Sequence, residues 1–417
     1  MGDHDQREPG QPVDSEPVAS LDRRRRLKAL ERVAEAVERD EPVGPEMTRD
    51  LHTGGNLSPV PDILRRPLRT IGEAGDDWLR CRPPDRDHLL MREGRGALNQ
   101  GAVGMLVGPG GRGKSWLLCQ LALSVATGRD WLDYFEVVRP GRVLLALAEE
   151  DGHEIWRRLY WAARAMKLTD EEADAAAANI VPLPLRGTPV GLVEGENRSV
   201  GPTAAFHALR EQLGRDDYRL VVLDPLARFA PDVESNNAAA TAAVQVVEEL
   251  TKGPGHPTVI VCHHSNKESR KTGSEGGPGM NRGVTGLHDA ARWEAQLLGK
   301  GEDDLALKLS KGNYVPPGGE PIPLERRDGE YGFIRAIDPE VRAERAAEAE
   351  AEKLRPIKQA IRKIISANPE CTKGTVVDLA PHGKPAVTKA LKLMMLSGEV
   401  VNVGEEGERK AWKLVLS

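Results

Sequence analysis

From about Pro61 to Ile337, short apolar runs alternate with longer Ala-rich segments, and the alternation predicts strands and helices in turn. Gly104–Val107, Arg142–Ala148, Leu220–Leu223, Thr258–Cys262 and Leu305–Leu309 read as strands. They are apolar at consecutive positions, the pattern of strands covered on both faces. Between them, Lys114–Thr127, Glu154–Met166, Thr203–Leu213 and Ala238–Thr251 carry helical spacing. The predicted fold class is α/β, a mostly parallel sheet with helices on both faces.

The two ends follow other rules. Residues 1–60 are polar and rich in Pro, Gly and acid, with one helix-like stretch, Leu27–Val37, after the basic run Arg23–Arg26. So few apolar residues cannot offset the ordering entropy, and this region is expected to be mostly disordered. Residues 339–352 are charged and Ala-rich and predict a helical linker. After it come three helices, Leu354–Ala367, Lys373–Leu379 and Lys384–Ser397, and two strand-like runs, Val400–Val403 and Ala411–Leu416, flanking Gly404–Arg409. That is the order of a winged helix. The expected organisation is therefore 1–60, a nucleotide-binding core at 61–338, the linker, and a small module at 353–417.

Charge sharpens the division. The chain has 417 residues and a net charge of −6, which excludes a globally basic nucleic-acid binder, whereas residues 353–417 alone carry +6. In the third helix of that module Val387, Leu391, Met394 and Met395 share one face, and Thr388, Lys389 and Lys392 the other. A basic face over an apolar one suits contact with a nucleic-acid backbone; ordinary surface lysines on an interaction module give the same pattern. The four cysteines, 81, 119, 262 and 371, are too scattered for a disulfide framework or zinc ribbon. No apolar run reaches the roughly 20 residues of a membrane span, and MGDHDQREPG does not resemble a signal peptide. A cytoplasmic protein without a membrane partner is expected.

The chemistry concentrates at strand ends. Gly108-Pro109-Gly110-Gly111-Arg112-Gly113-Lys114-Ser115 fits the phosphate-binding loop pattern GxxxxGK[ST] in full, after one predicted strand and before a helix that opens Lys114-Ser115-Trp116. The glycines let backbone N–H groups turn towards phosphate oxygens, and the helix points its positive end at the same anion. Lys114 supplies a charge for the β- and γ-phosphates, and Ser115 an oxygen for Mg²⁺. ATP and Mg²⁺ are the expected ligands. Leu220–Asp224 is an apolar strand ending in an acid, the second expected Mg²⁺ residue; the next residue is Pro225, so no adjacent glutamate can polarise water. The candidate base instead follows Arg142–Ala148, taken as the strand beside the phosphate-loop strand. Glu149 directly follows its apolar run; Glu150 is the alternative, and an acidic helix start also accounts for the pair. Thr258–Cys262 runs into His263, His264 and Lys267, where a polar group can reach a γ-phosphate. Alternating side-chain directions argue against Cys262, His263 and His264 sharing a metal. The glycine-rich stretch 267–283 is well placed to line a channel; a flexible connection accounts for its composition as well. In Arg282–Trp293 and Leu309–Tyr314, Arg292 leads, with Arg282 and Lys311 behind, as a cation for a neighbouring subunit's phosphate; a structural salt bridge explains any of the three equally well.

In order, the phosphate loop, VLLALAEED, VVLDPLARF, HHSNK, RGVTGLHDAARW and LSKGNY resemble the plasmid RepA-type hexameric replicative helicases, a group of RecA-fold AAA family ATPases. The resemblance spans about residues 95–337. It implies a RecA-like core, a homo-oligomeric ring, expected to be hexameric, that binds ATP between subunits and acts on DNA, His264 as γ-phosphate sensor and Arg292 as a finger in trans. Single-stranded DNA is the expected partner, with duplex contact through the C-terminal module. The module and the acidic N-terminus lie outside the pattern. A RecA- or KaiC-like ATPase without unwinding, or a nucleotide-switched DNA-binding initiator or regulator, are the other readings.

Overall fold

A computed structural model describes residues 79–195, 200–231, 236–264, 286–299, 304–315, 319–326, 333–403 and 414–416, with isolated positions between 39 and 73. The helix expected at Leu27–Val37, the stretch 267–283 with Lys267 and Arg282, and residues 404–413 lie outside the described residues. The chain divides into two compact units, Met1–Asp85 and Arg86–Ser417, and the sheet, its helices and the candidate site all belong to the second.

The elements of this second unit run β1 (His88–Arg92), β2 (Arg95–Asn99), β3 (Val103–Gly108), α1 (Lys114–Thr127), β4 (Glu136–Val137), β5 (Arg142–Leu147), α2 (Gly152–Ala165), α3 (Asp170–Asn179) and β6 (Ile180–Pro184). The short strands β7 (Val193–Glu194) and β8 (Gly201–Pro202) precede α4 (Ala204–Leu213), β9 (Tyr218–Asp224), α5 (Leu226–Phe229), α6 (Asn237–Glu248), β10 (Thr258–His264) and α7 (Gly286–Ala290). Then come β11 (Trp293–Leu298), β12 (Ala306–Gly312), β13 (Ile322–Arg326) and β14 (Ile334–Ala336). The chain ends in α8 (Pro339–Ala367), α9 (Lys373–Leu379), α10 (Lys384–Leu396), β15 (Val400–Asn402) and β16 (Leu414–Leu416).

Nine strands form the main sheet in the order β14-β13-β12-β11-β3-β10-β9-β5-β6. The six from β11 to β6 are parallel. β12, β13 and β14 add an antiparallel edge, so the run at Leu305–Leu309 belongs to a strand opposed to its neighbour β11. Alternation within each strand divides the apolar runs between two cores. Leu106, Val143, Leu145, Leu220, Val222 and Ile260 face α1, α2 and α3 on one side. Val103, Met105, Val107, Leu144, Val221, Leu223 and Val261 face α4 and α6 on the other. This is the α/β fold expected: a mostly parallel sheet between two helical layers. One expectation is corrected. β5 is not beside β3, because β10 and β9 lie between them; parallel strands nevertheless end on a common edge, so the acids after β5 still reach the edge where β3 ends.

The C-terminal part has a core of its own. α8 runs for 29 residues through the stretch expected as linker and into the first expected helix. Its first half is largely exposed; Leu354, Ile357, Ile361 and Ile365 then bury against Val376, Val387, Leu391, Met394 and Val400. The spacing of those four residues keeps one face of α8 inward.

Candidate nucleotide site

β3 delivers the phosphate loop at its carboxyl end, and α1 leaves from it. Gly111 and Gly113 take positive φ, +74° and +96°, and Gly113 stands at the N-cap of α1. A side chain at Gly113 would come within 2.8 Å of Arg326 Nη2 and 2.9 Å of Ile334 Cδ1, so this position needs glycine for space as well as for backbone angle. Lys114 is buried, and its Nζ donates to the carbonyls of Gly108 and Pro109, each at 2.9 Å. Burial lowers the Lys114 pKa, while the thiol of Cys262 and the carboxylates of Asp224 and Glu149 raise it.

The strand ends bring the other candidates to the same place. A cavity of about 260 Å³ is lined by Gly111, Gly113, Lys114, Ser115, Trp116, Glu149, Arg158, Asp224, His264 and Arg326. Asp224 ends β9 and is buried. Ala148 N–H donates to Asp224 O at 2.8 Å, which places Glu149 one residue beyond that acid. β10 runs in register with β3, pairing His264 with Gly108, and His264 Nδ1 lies 3.3 Å from Lys114 Nζ. Burial raises the Cys262 thiol well above its ordinary range, with the Asp224 charge adding to it and a side-chain hydrogen bond joining the two residues. No group of His, Cys, Asp and Glu among the described residues forms a protein-only metal cage.

The acids after β5 separate by neighbour. Asp151 is the N-cap of α2 and accepts from Glu154 N–H at 2.9 Å. Glu150 pairs with Arg158 at 2.6 Å, and burial is the leading cause that raises its pKa. Glu149 is exposed and lines the cavity.

Arg292 and Lys311 are not in this cavity. Arg292 N–H donates to Val103 O at the start of β3, and its side chain approaches Glu248 at 3.6 Å. The loop leaves from the opposite end of β3, about 16 Å away at the usual strand rise. Lys311, on β12, donates to the carbonyls of His288 at 2.5 Å and Asp289 at 2.8 Å near the same remote edge. Arg158 and Arg326, both in the cavity wall, are absent from the expectations. Arg158 had a signal, eight residues after Glu150 in a helical segment; Arg326 had only the short alternation of Ile322 and Leu324 before it.

Residues 65–270 match the family model of an AAA domain. That stretch contains the phosphate loop, Glu149, Asp224 and His264. Among solved structures, the chain is similar to an ATPase domain, at 14% identity, over 57% of this chain and 86% of that one, with a TM-score of 0.42. It is also similar to a KaiC-like protein of the hyperthermophilic archaeon Pyrococcus horikoshii OT3, at 13% identity, over 61% and 100%, with a TM-score of 0.41. No helix among the described residues is long and apolar enough to cross a membrane.

Proposed function

We propose that the chain is an ATP-hydrolysing motor acting on DNA, a RepA-type replicative helicase of a plasmid, phage or mobile element that works as a ring of identical subunits. The observation that supports it most is the meeting of Lys114, Ser115, Asp224, Glu149 and His264 around one cavity. In this reading the loop amides and Lys114 hold the triphosphate. Ser115 and Asp224 would hold Mg²⁺, which when bound supplies positive charge to the phosphates. Glu149, not engaged as Glu150 and Asp151 are, accepts the proton of the attacking water. His264 hydrogen-bonds the γ-phosphate, and Arg292 serves the cavity of the next subunit. The C-terminal module, with its charge of +6, adds a contact to DNA or to a protein partner.

Purified protein should release phosphate from ATP, faster with single-stranded DNA, and unwind a forked duplex only with ATP. Lys114→Ala should reduce phosphate release by at least about a hundredfold, since it removes the charge at the transferred group. Normal turnover in that variant overturns the assignment of the cradle. Turnover without unwinding of either fork polarity favours an ATPase of the non-unwinding kind.

A further inference from the structure

We propose that Arg326 belongs to the nucleotide site and binds the α- and β-phosphates of the bound nucleotide. The proposal deepens, and rests on, the nucleotide-binding reading of the cavity. Arg326 ends β13 in the antiparallel edge, more than 200 positions after the phosphate loop, yet it lines the same cavity as Lys114, Ser115 and Trp116. Its Nη2 donates to the carbonyl of Arg112 at 3.1 Å, inside the loop itself.

The two ends of the loop meet different side chains. A Cβ on Gly110 would lie 3.9 Å from the His264 ring, whereas one on Gly113 would lie 2.8 Å from Arg326 Nη2. Phosphate loops carry a triphosphate along their length, with the transferred group towards the start and the α- and β-phosphates towards the first turn of the helix. His264 therefore stands at the transferred end and Arg326 at the retained end. A guanidinium is suited to that place: its planar fork can keep one N–H on the Arg112 carbonyl and offer others to phosphate oxygens. The strand is held there by more than this contact. Gln120 of α1 donates to Ile334 O at 2.7 Å and accepts from Ile334 N–H at 3.1 Å, which fixes β14, the partner of β13, to the helix leaving the loop.

Because the α- and β-phosphates are both present in ADP, Arg326 should govern affinity for ADP as much as for ATP. The test uses the full chain with Arg326→Gln, Arg326→Lys and Arg326→Ala, titrated with ADP and, separately, with pyrophosphate. Gln can still donate to the Arg112 carbonyl but has no charge. It should bind both ligands about tenfold more weakly, the scale of a lost charge-assisted hydrogen bond, with the ligand-free melting midpoint unchanged. Lys should fall between Gln and wild type. If Gln binds ADP as wild type does, the guanidinium serves only the loop carbonyl and the proposal falls. It falls equally if ADP weakens and pyrophosphate does not, since the contact would then be to base or ribose. Wild-type protein that binds neither ligand sinks the nucleotide reading as well; wild-type binding with an insensitive Gln variant sinks Arg326 alone.

Discussion

Glu149, Glu150 and Asp151 are chemically near-identical neighbours, and the structure gives them three different surroundings. Asp151 accepts the Glu154 N–H and starts α2. Glu150 is held by Arg158 at 2.6 Å, and Arg158 also reaches Glu154 at 3.0 Å. The Arg158 pair turns the Glu150 carboxylate to α2, and it is Glu149 that lines the cavity. If Glu149 is the base proposed above, Glu149→Gln should lower kcat by about a hundredfold or more while ATP still binds, since no phosphate contact is removed. Glu150→Gln should cost less than about tenfold, through a displaced Arg158. Single-turnover phosphate release with a parallel nucleotide titration separates the two; full loss in Glu150→Gln alone moves the base by one residue. The order of these acids is visible in the sequence, but which of them α2 engages depends on the helix folding back over the strand end.

At the level of elements, sequence and structure agree where the chemistry of an element is local. The phosphate loop announces itself through its glycines and Lys114, and α1 occupies the predicted range, Lys114–Thr127. Strands β5, β9 and β10 are apolar at consecutive positions and are found within a few residues of expectation. β11 was not legible, because Glu294 and Gln296 interrupt it. Both are buried: Gln296 donates to Glu294 at 2.7 Å, and Ser310 of β12 donates to it at 2.6 Å. A buried carboxylate satisfied partly from another strand, as Glu294 is by Ser310, looks like a loop residue until that partner is known. β13 and β14 are too short to show a period, so Arg326 stayed hidden with them. α8 is the converse case. Its exposed, charged first half reads as a linker, yet it forms one helix with the second half, whose Ile361 is fully buried in the C-terminal core. Ile361→Ala should cost about 2–5 kcal/mol. Because that core is separate from the two beside the sheet, the loss should be local: hydrogen exchange should speed up in α9 and α10 and not in α1, with DNA-free phosphate release unchanged. Equal loss of protection in α1 would mean that the two parts unfold together.

For the whole molecule, the placement of Arg292 carries the most consequence. It lies at the far end of the sheet from its own loop, hydrogen-bonded through its N–H to the start of β3 and facing Glu248 at 3.6 Å. If its work is catalytic, it must act on another copy of the chain; if its work is the Glu248 pair, it acts only on its own fold. A surface ion pair of this length contributes about 1 kcal/mol or less, so Arg292→Ala should leave the subunit folded under either reading. The two readings part in mixtures. A ring interface takes the phosphate loop from one subunit and the finger from the next, so Lys114→Ala and Arg292→Ala damage different partners of each interface. Each variant alone should be nearly inactive. Mixed in equal amounts and allowed to exchange before ATP is added, random assembly leaves about one interface in four with both groups intact, and turnover should recover towards that fraction. Recovery should follow the mixing ratio, peak at equal amounts and disappear when subunits are cross-linked before mixing. A silent mixture that demonstrably exchanges subunits, or an Arg292→Ala protein that turns over normally by itself, returns Arg292 to its pair with Glu248 and leaves the cavity completed from within one chain.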